Sequence, residues 1–207
     1  LARPVNAMTV DVEDYFQGSA FEFYVSRDQG DKEESRVEAN MHRILDLFGE
    51  QDVRATFFTL GWIAERYPQL VRRLVDEGHE LASHGWSHVR VTQQSPEDFR
   101  ADISRTKTLL EDVGGVEVKG YRAASYSIGA SNLWALEELQ SAGYRYSSSI
   151  FPIKHDLYGM PDAPRFGFRP HGDDFIFAIV AAPKPRQLDQ PLVGLVSRIA
   201  EKAFCAR

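Results

Sequence analysis

The sequence predicts an α/β fold with a largely parallel sheet. Three observations carry that prediction. Short apolar runs rich in β-branched and aromatic residues alternate with longer stretches of helical periodicity, the pattern of βαβ units. The helical stretches open near Ser or Pro and stop at Gly. Three acid- or histidine-rich stretches, Asp11 to Asp14, His84 to His88 and Arg122 to Tyr126, directly follow apolar runs. Those are the carboxyl ends of strands, where parallel α/β folds collect their chemistry. With right-handed crossovers, both an open doubly wound sheet and a barrel satisfy this pattern.

The elements follow in order. Residues Asn6 to Val12 form a short apolar strand. "GSAFEFYVSRDQGDKEES" is a long polar loop with aromatic anchors, and its last residue, Ser35, is placed to cap a helix. In that helix Val37, Met41, Ile44, Leu45 and Phe48 recur on one face. "VRATFFTL" is a second, buried strand. "GWIAERYPQLVRRLVDEG" is a helix broken at Pro68, with Gly78 as its stop. "HELASH" is a third strand. The next helix has Ser95 at its N-cap, Pro96 in its first turn and Asp98 three residues after the cap. Its apolar stripe is Phe99, Ile103, Thr106, Leu110 and Val113. "VEVKGYR" is a fourth strand, Leu133 to Ala142 a helix stopped by Gly143, "YRYSSSI" a fifth strand and "DDFIFAIVAA" a sixth. The Pro- and Gly-rich stretch from Asp156 to His171 is expected to be a long ordered loop.

Composition narrows the function. A chain of 207 residues, 43% of them hydrophobic, is enough for one domain with a full core. A formal net charge of -6 argues against nucleic acid and anionic membranes as partners. The single cysteine, Cys205, excludes an internal disulfide and a multi-thiolate metal site. No apolar run reaches the length of a membrane span, and no signal peptide is visible. The opening "LARPVNAM" lacks an initiator Met, so a trimmed start is expected and a lost leader stays open. The compartment is left open between cytoplasm and cell envelope.

The chemistry lies in three stretches. "SHGWSH" places His84 and His88 four residues apart after a strand, a spacing that lets two imidazoles reach one ion. Zn²⁺ commonly takes two histidines and one carboxylate, with a fourth position for water; Co²⁺, Ni²⁺ and Fe²⁺ suit the same donors. The carboxylate must come from elsewhere, and Asp11, Glu13 and Asp14 crowd the end of the first strand. Strand alternation puts Asp11 and Glu13 on one face, whereas a bulge would turn Asp14 inward. Arg122 is able to grip a carboxylate bidentately, and a carboxylate held beside a metal site is a general-base candidate.

"MTVDVED", "VRATFFTLGWIAERYPQLVRRLVDEGHELASHGWSH" and "GYRAASYSI" together resemble the polysaccharide deacetylase family, also called the NodB-homology domain or carbohydrate esterase family 4. The likeness spans about Met8 to Tyr126 and continues weakly through "SSSIFPIKHDLYGMPDAPR". That later stretch is most similar to a subgroup associated with exopolysaccharide production, related to the peptidoglycan deacetylase and allantoinase branch. The resemblance implies a distorted (β/α) barrel with fewer than eight strands. It also implies metal-dependent hydrolysis of N-acetyl groups on the amino sugars of a glycan. By this resemblance His84 and His88 are the metal histidines, Glu13 or Asp14 is the metal carboxylate, and Asp11 is the general base held by Arg122. The backbone N–H near Ser125 is the oxyanion donor. Three positions depart from the family: Gly85 stands where Ser or Thr is usual, Ala124 where Pro is, and Ser125 where an aromatic residue is.

The resemblance also implies a general-acid histidine on a late strand, yet no histidine follows His171. His155 is the substitute candidate. Residues 1–180 are expected to form the deacetylase domain. Residues 181–207 read as an atypical tail, expected to be truncated or frame-altered beyond about Phe177. Two other functions remain: hydrolysis of a small cyclic amide, and glycan binding or assembly without catalysis. Oligomeric state is left open.

Overall fold

The structure is a computed structural model that describes residues 7–18, 21–22, 24–25, 30, 32–155, 158–169 and 176–179. Among these residues six strands form one sheet: β1 (Met8–Val12), β2 (Ala55–Thr59), β3 (Glu80–Ser83), β4 (Gly120–Tyr121), β5 (Tyr146–Ile150) and β6 (Ile176–Ile179). Every pairing is parallel. The spatial order is β1-β2-β3-β4-β5-β6, the order of the sequence. A doubly wound sheet reverses its strand order at a switch point. This sheet never reverses, so it winds as a barrel does.

One side chain shows how far the sheet curls. In a flat sheet β1 and β5 would lie four strand spacings apart, about 19 Å. Yet the guanidinium of Arg122 reaches Thr9 on β1 and Ser148 on β5 at once. The sheet must therefore bend around it. The fold is a distorted (β/α) barrel, and β6 is not paired with β1 among the described residues.

Among the described residues five α-helices cover the outside: α1 (Val37–Glu50), α2 (Gly61–Arg66), α3 (Pro68–Asp76), α4 (Pro96–Gly114) and α5 (Trp134–Ser141). The expected stripes face inward. Val37, Met41, Leu45 and Phe48 of α1 are buried, as are Phe99, Ile103, Thr106 and Leu110 of α4. They pack against Phe57, Leu81 and Tyr121 from the sheet in one core. Strands covered on both faces carry near-continuous apolar runs, which accounts for "ATFFT" in β2. Pro68 breaks the predicted long helix into α2 and α3, with Tyr67 between them at φ -126° and ψ 55°. Ser95 caps α4 through the N–H of Asp98 at 3.1 Å. No helix among the described residues is long and apolar enough to cross a membrane.

Two expectations need correction. β4 is shorter than "VEVKGYR", because the Val118 N–H is taken by Glu111 Oε1 at 2.9 Å instead of a strand ladder. Ser35 does not cap α1; its hydroxyl donates to Asp14 Oδ2 at 2.7 Å. The cap is Asp14 itself. It is 2% exposed and accepts from the N–H groups of Arg36 (2.9 Å) and Val37 (3.2 Å) with Oδ2, and of Tyr15 (2.9 Å) with Oδ1. Helix N-termini leave backbone donors orphaned, and here an acid from 22 residues upstream satisfies them. The two ends of the loop expected from Asp156 to His171, Cys205 and the tail at 181–207 lie outside the described residues.

Asp14→Ala strands these donors in the interior. It is expected to cost roughly 2–4 kcal/mol, read as an earlier urea midpoint, with Asp14→Asn in between. A parent-like midpoint for Asp14→Ala would contradict the capping role.

Candidate active site

The carboxyl end of β1 meets those of β3 and β4. Asp11 is the last acid within β1; Glu13 and Asp14 follow it, where strict alternation no longer applies. The chain turns there into a 3-10 turn, Tyr15–Gln17, that Asp14 caps. That turn separates the two candidate carboxylates. Glu13 is brought to His84 and His88, with one donor atom from each of the three within 4.8 Å of the others. Asp14 is not part of that group, because its two oxygens are committed to the α1 terminus, to Ser35 and to Tyr15.

His84 is buried directly after β3. Its Nδ1 lies 2.8 Å from the carbonyl oxygen of Arg122. A carbonyl only accepts, so Nδ1 carries the proton and Nε2 keeps the lone pair that a metal would need. Burial pushes the His84 pKa down, which favours that neutral form. His88 is also buried and adopts φ 58°, in the left-handed region. Its Nε2 lies 3.0 Å from Glu13 Oε2. That oxygen is nonetheless buried without a hydrogen-bond partner, so the two atoms are close but not aligned for a hydrogen bond. Burial first, and the charge of Asp11 second, push Glu13 up to about 7. Two imidazoles and a carboxylate whose buried Oε2 is orphaned fit a divalent cation well. The ion would give Oε2 the partner it lacks and offset the cost of its charge.

Arg122 follows β4 and is 3% exposed. Its Nη1 donates to Asp11 Oδ1 at 2.6 Å, and both Nη1 and Nη2 donate to Thr9 Oγ1 at 3.1 Å. Nη2 also donates to Ser148 Oγ at 2.9 Å, and Nε to the Ser148 carbonyl at 3.3 Å. The guanidinium lies 4.0 Å from the centre of the Phe58 ring, a cation–π contact. Arg122 thus orients Asp11 through a side chain that is itself fixed on several sides.

Ser125 lies in the turn Ala124–Tyr126 just beyond Arg122. Ser125 and Tyr126 have φ values of 51° and 50°, a conformation that costs non-glycine residues of order 1–3 kcal/mol. Val91 N–H and the Ser127 hydroxyl hold the far side of this turn at 3.0 Å.

Sequence reasoning missed four contributors. Thr9 and Ser148 support Arg122 from two strands. Tyr126 lies with its ring centre 5.5 Å from the guanidinium and packs against Phe151 and Tyr158. Burial raises the Tyr126 pKa. Asp102 of α4 accepts the N–H of Trp86, between the two histidines, at 3.1 Å. Asp102 had a sequence signal: it sits three residues after Phe99 and four before Thr106, on the buried face of its helix. His155 is exposed and stacked on Tyr158 at 4.0 Å between ring centres.

Residues 21–147 match the family model described as polysaccharide deacetylase. The span includes His84, His88, Arg122 and Ser125 but none of the three acids, which the fold brings in from upstream. A peptidoglycan-N-acetylglucosamine deacetylase of Bacillus cereus is 34% identical over 97 residues, covering 46% of this chain and 35% of that protein. A chitooligosaccharide deacetylase of Rhizobium leguminosarum bv. trifolii is 32% identical over 144 residues, 69% of this chain and 60% of that protein. The matched region thus spans about a third to three fifths of these relatives' lengths. A crystal structure from Mycobacterium smegmatis, assigned to the polysaccharide deacetylases, shares the fold with a TM-score of 0.65. That match is 20% identical and covers 95% of this chain and 72% of the other.

Glu13→Gln removes a group whose charged form the folded, metal-free protein disfavours. With a pKa raised from 4.5 to about 7, the ionisation cost is full above about pH 7. It fades to nothing below about pH 4.5, where the carboxyl is protonated in folded and unfolded chains alike. Metal-free Glu13→Gln should therefore exceed the parent in stability at about pH 8, by roughly 1–3 kcal/mol, and match it at about pH 4. Urea midpoints at the two pH values check this.

Proposed function

This chain belongs to the polysaccharide deacetylase family, and from that premise we propose that it is a metal-dependent hydrolase. In this reading it removes N-acetyl groups from amino sugars of a polysaccharide, an exopolysaccharide or cell-wall glycan. One observation carries the proposal: a carboxylate–guanidinium pair, Asp11 and Arg122, adjoins a cluster of Glu13, His84 and His88. The two groups are joined through His84, whose Nδ1 donates to the Arg122 carbonyl. The catalytic unit we propose is residues 1–180, with 181–207 as an atypical tail.

Glu13, His84 and His88 would hold the ion. Zn²⁺ suits this donor set best, and Co²⁺, Ni²⁺ or Fe²⁺ are chemically competent. A bound divalent cation supplies Lewis acidity toward an amide carbonyl and toward water. The remaining steps fall to the chain. Asp11 acts as general base. Its Oδ1 is taken by Arg122, so Oδ2 receives the proton of the attacking water. Arg122 fixes the direction of that oxygen, and Thr9 and Ser148 fix Arg122. The backbone N–H near Ser125 faces the oxyanion; a donor in that role is worth about 10²–10³ in rate. Asp11 Oδ2 then carries the proton that the departing amine requires, which closes the proton balance. Tyr126, Phe151 and Tyr158 form an aromatic cluster on the Arg122 side.

A binding protein without catalysis would have no use for an oriented base beside a metal cluster. That contrast favours the hydrolase over the glycan-binding reading.

Metal analysis of the purified protein, paired with acetate release from N-acetylated oligosaccharides, tests the proposal. Asp11→Asn should retain the ion and lose about 10²–10⁴-fold in acetate release. His88→Ala should lose both ion and activity. An ion that stays in His88→Ala, or leaves in Asp11→Asn, would reverse the assigned roles.

A further inference from the structure

The two histidines are joined by a turn whose backbone is bonded at every polar group of its first two linking residues. Gly85 N–H donates to Ser83 Oγ at 3.3 Å, and the Gly85 carbonyl accepts from Gly61 N–H at 2.9 Å. The Trp86 carbonyl accepts from Trp62 N–H at 2.9 Å. Three of these four anchors come from neighbouring strand and helix ends. The fourth comes from across the fold: Trp86 N–H donates to both oxygens of Asp102 on α4, at 3.1 and 3.3 Å.

Asp102 occupies space that the turn has cleared for it. Gly85 adopts φ 77°, and a Cβ there would stand 3.0 Å from Asp102 Oδ1. A side chain at position 85 and the carboxylate of Asp102 therefore compete for one place. One helical turn further along α4, the Arg105 guanidinium lies 3.3 Å from the centre of the Trp86 ring. The helix thus grips Trp86 at its amide and at its indole. Trp86 in turn presses on Gly61, where a Cβ would meet the indole at 2.5 Å. Trp86 stands midway between His84 and His88, so whatever fixes its amide fixes the relation between the two imidazoles.

We propose that Asp102 is a positioning residue for the metal site, holding the Gly85–Trp86 turn so that His84 and His88 converge on one ion. The proposal rests on the metal-binding reading above. In that role Asp102 acts through the Trp86 amide. The acceptor oxygen is what matters, since an amide at position 102 offers the same acceptor without the charge.

The test compares Asp102→Asn with Asp102→Leu, a side chain of similar size with no acceptor. In the metal-free proteins, hydrogen exchange at the Trp86 amide should stay slow in the parent and Asp102→Asn and become fast in Asp102→Leu. In titrations with Co²⁺ alone, followed by its visible absorption, Asp102→Leu should bind about 10–100-fold more weakly. Asp102→Asn should stay close to the parent. If Asp102→Leu does not fold, Asp102→Ala takes its place in both measurements. A folded Asp102→Leu that binds Co²⁺ as tightly as the parent overturns the proposal, and so does an Asp102→Asn as weak as Asp102→Leu. A parent that binds no Co²⁺ instead overturns the metal reading, and with it the purpose given to Asp102.

Discussion

Everything at the functional end of this molecule depends on where one guanidinium can be satisfied. Arg122 is buried, and a buried cation left unpaired costs several kcal/mol. Its partners are Thr9 and Asp11 on the first strand and Ser148 on the fifth. No flat sheet brings those strands together, so the curl of the sheet and the pairing of the cation are one constraint. The same residue orients Asp11 through its side chain and His84 through its carbonyl. Barrel geometry and site geometry are thereby tied at a single residue.

Much of this was legible in the sequence, and the exceptions have a common cause. Helical stripes, the Pro68 break and the Ser95 cap are local patterns, and each appears as read. His84, His88 and Arg122 announced themselves by position after apolar runs. The choice between Glu13 and Asp14 was not legible, because it depends on the N-terminus of a helix 22 residues downstream. That helix recruits Asp14, and the recruitment frees Glu13 to face the histidines. Ser35 misled for the same reason: its hydroxyl serves the acid rather than the helix. Thr9 and Ser148 act across strands, and no spacing along the chain reports such contacts; for Asp102 the helical spacing shows the buried face but not the Trp86 amide it meets.

Backbone strain gathers at the same end of the fold. His88, Ser125 and Tyr126 are non-glycine residues with positive φ, and Gly85 is left-handed between the two histidines. Such conformations persist only where the surroundings over-determine them. Here the surroundings do so: Asp102, Ser83, Gly61 and Trp62 fix one turn, and Ser127 with Val91 braces the other. Rigidity is supplied by helices α2 and α4 and passed to the strand ends through backbone hydrogen bonds.

The reach of Arg122 also sets an order of events in biosynthesis. Its contacts to Thr9 and Asp11 close loops of more than 110 residues, and such non-local contacts form late. The other half of its shell, Ser148, lies 26 residues further on. A chain emerging from the ribosome N-terminus first exposes Asp11, then both histidines, then Arg122, and only afterwards the strand that anchors it. Until that strand docks, the guanidinium has no complete shell and Asp11 has no fixed direction. The nascent chain therefore carries Asp11, Glu13 and both histidines long before Arg122 holds its partners in register, and that arrangement is completed together with the fifth strand.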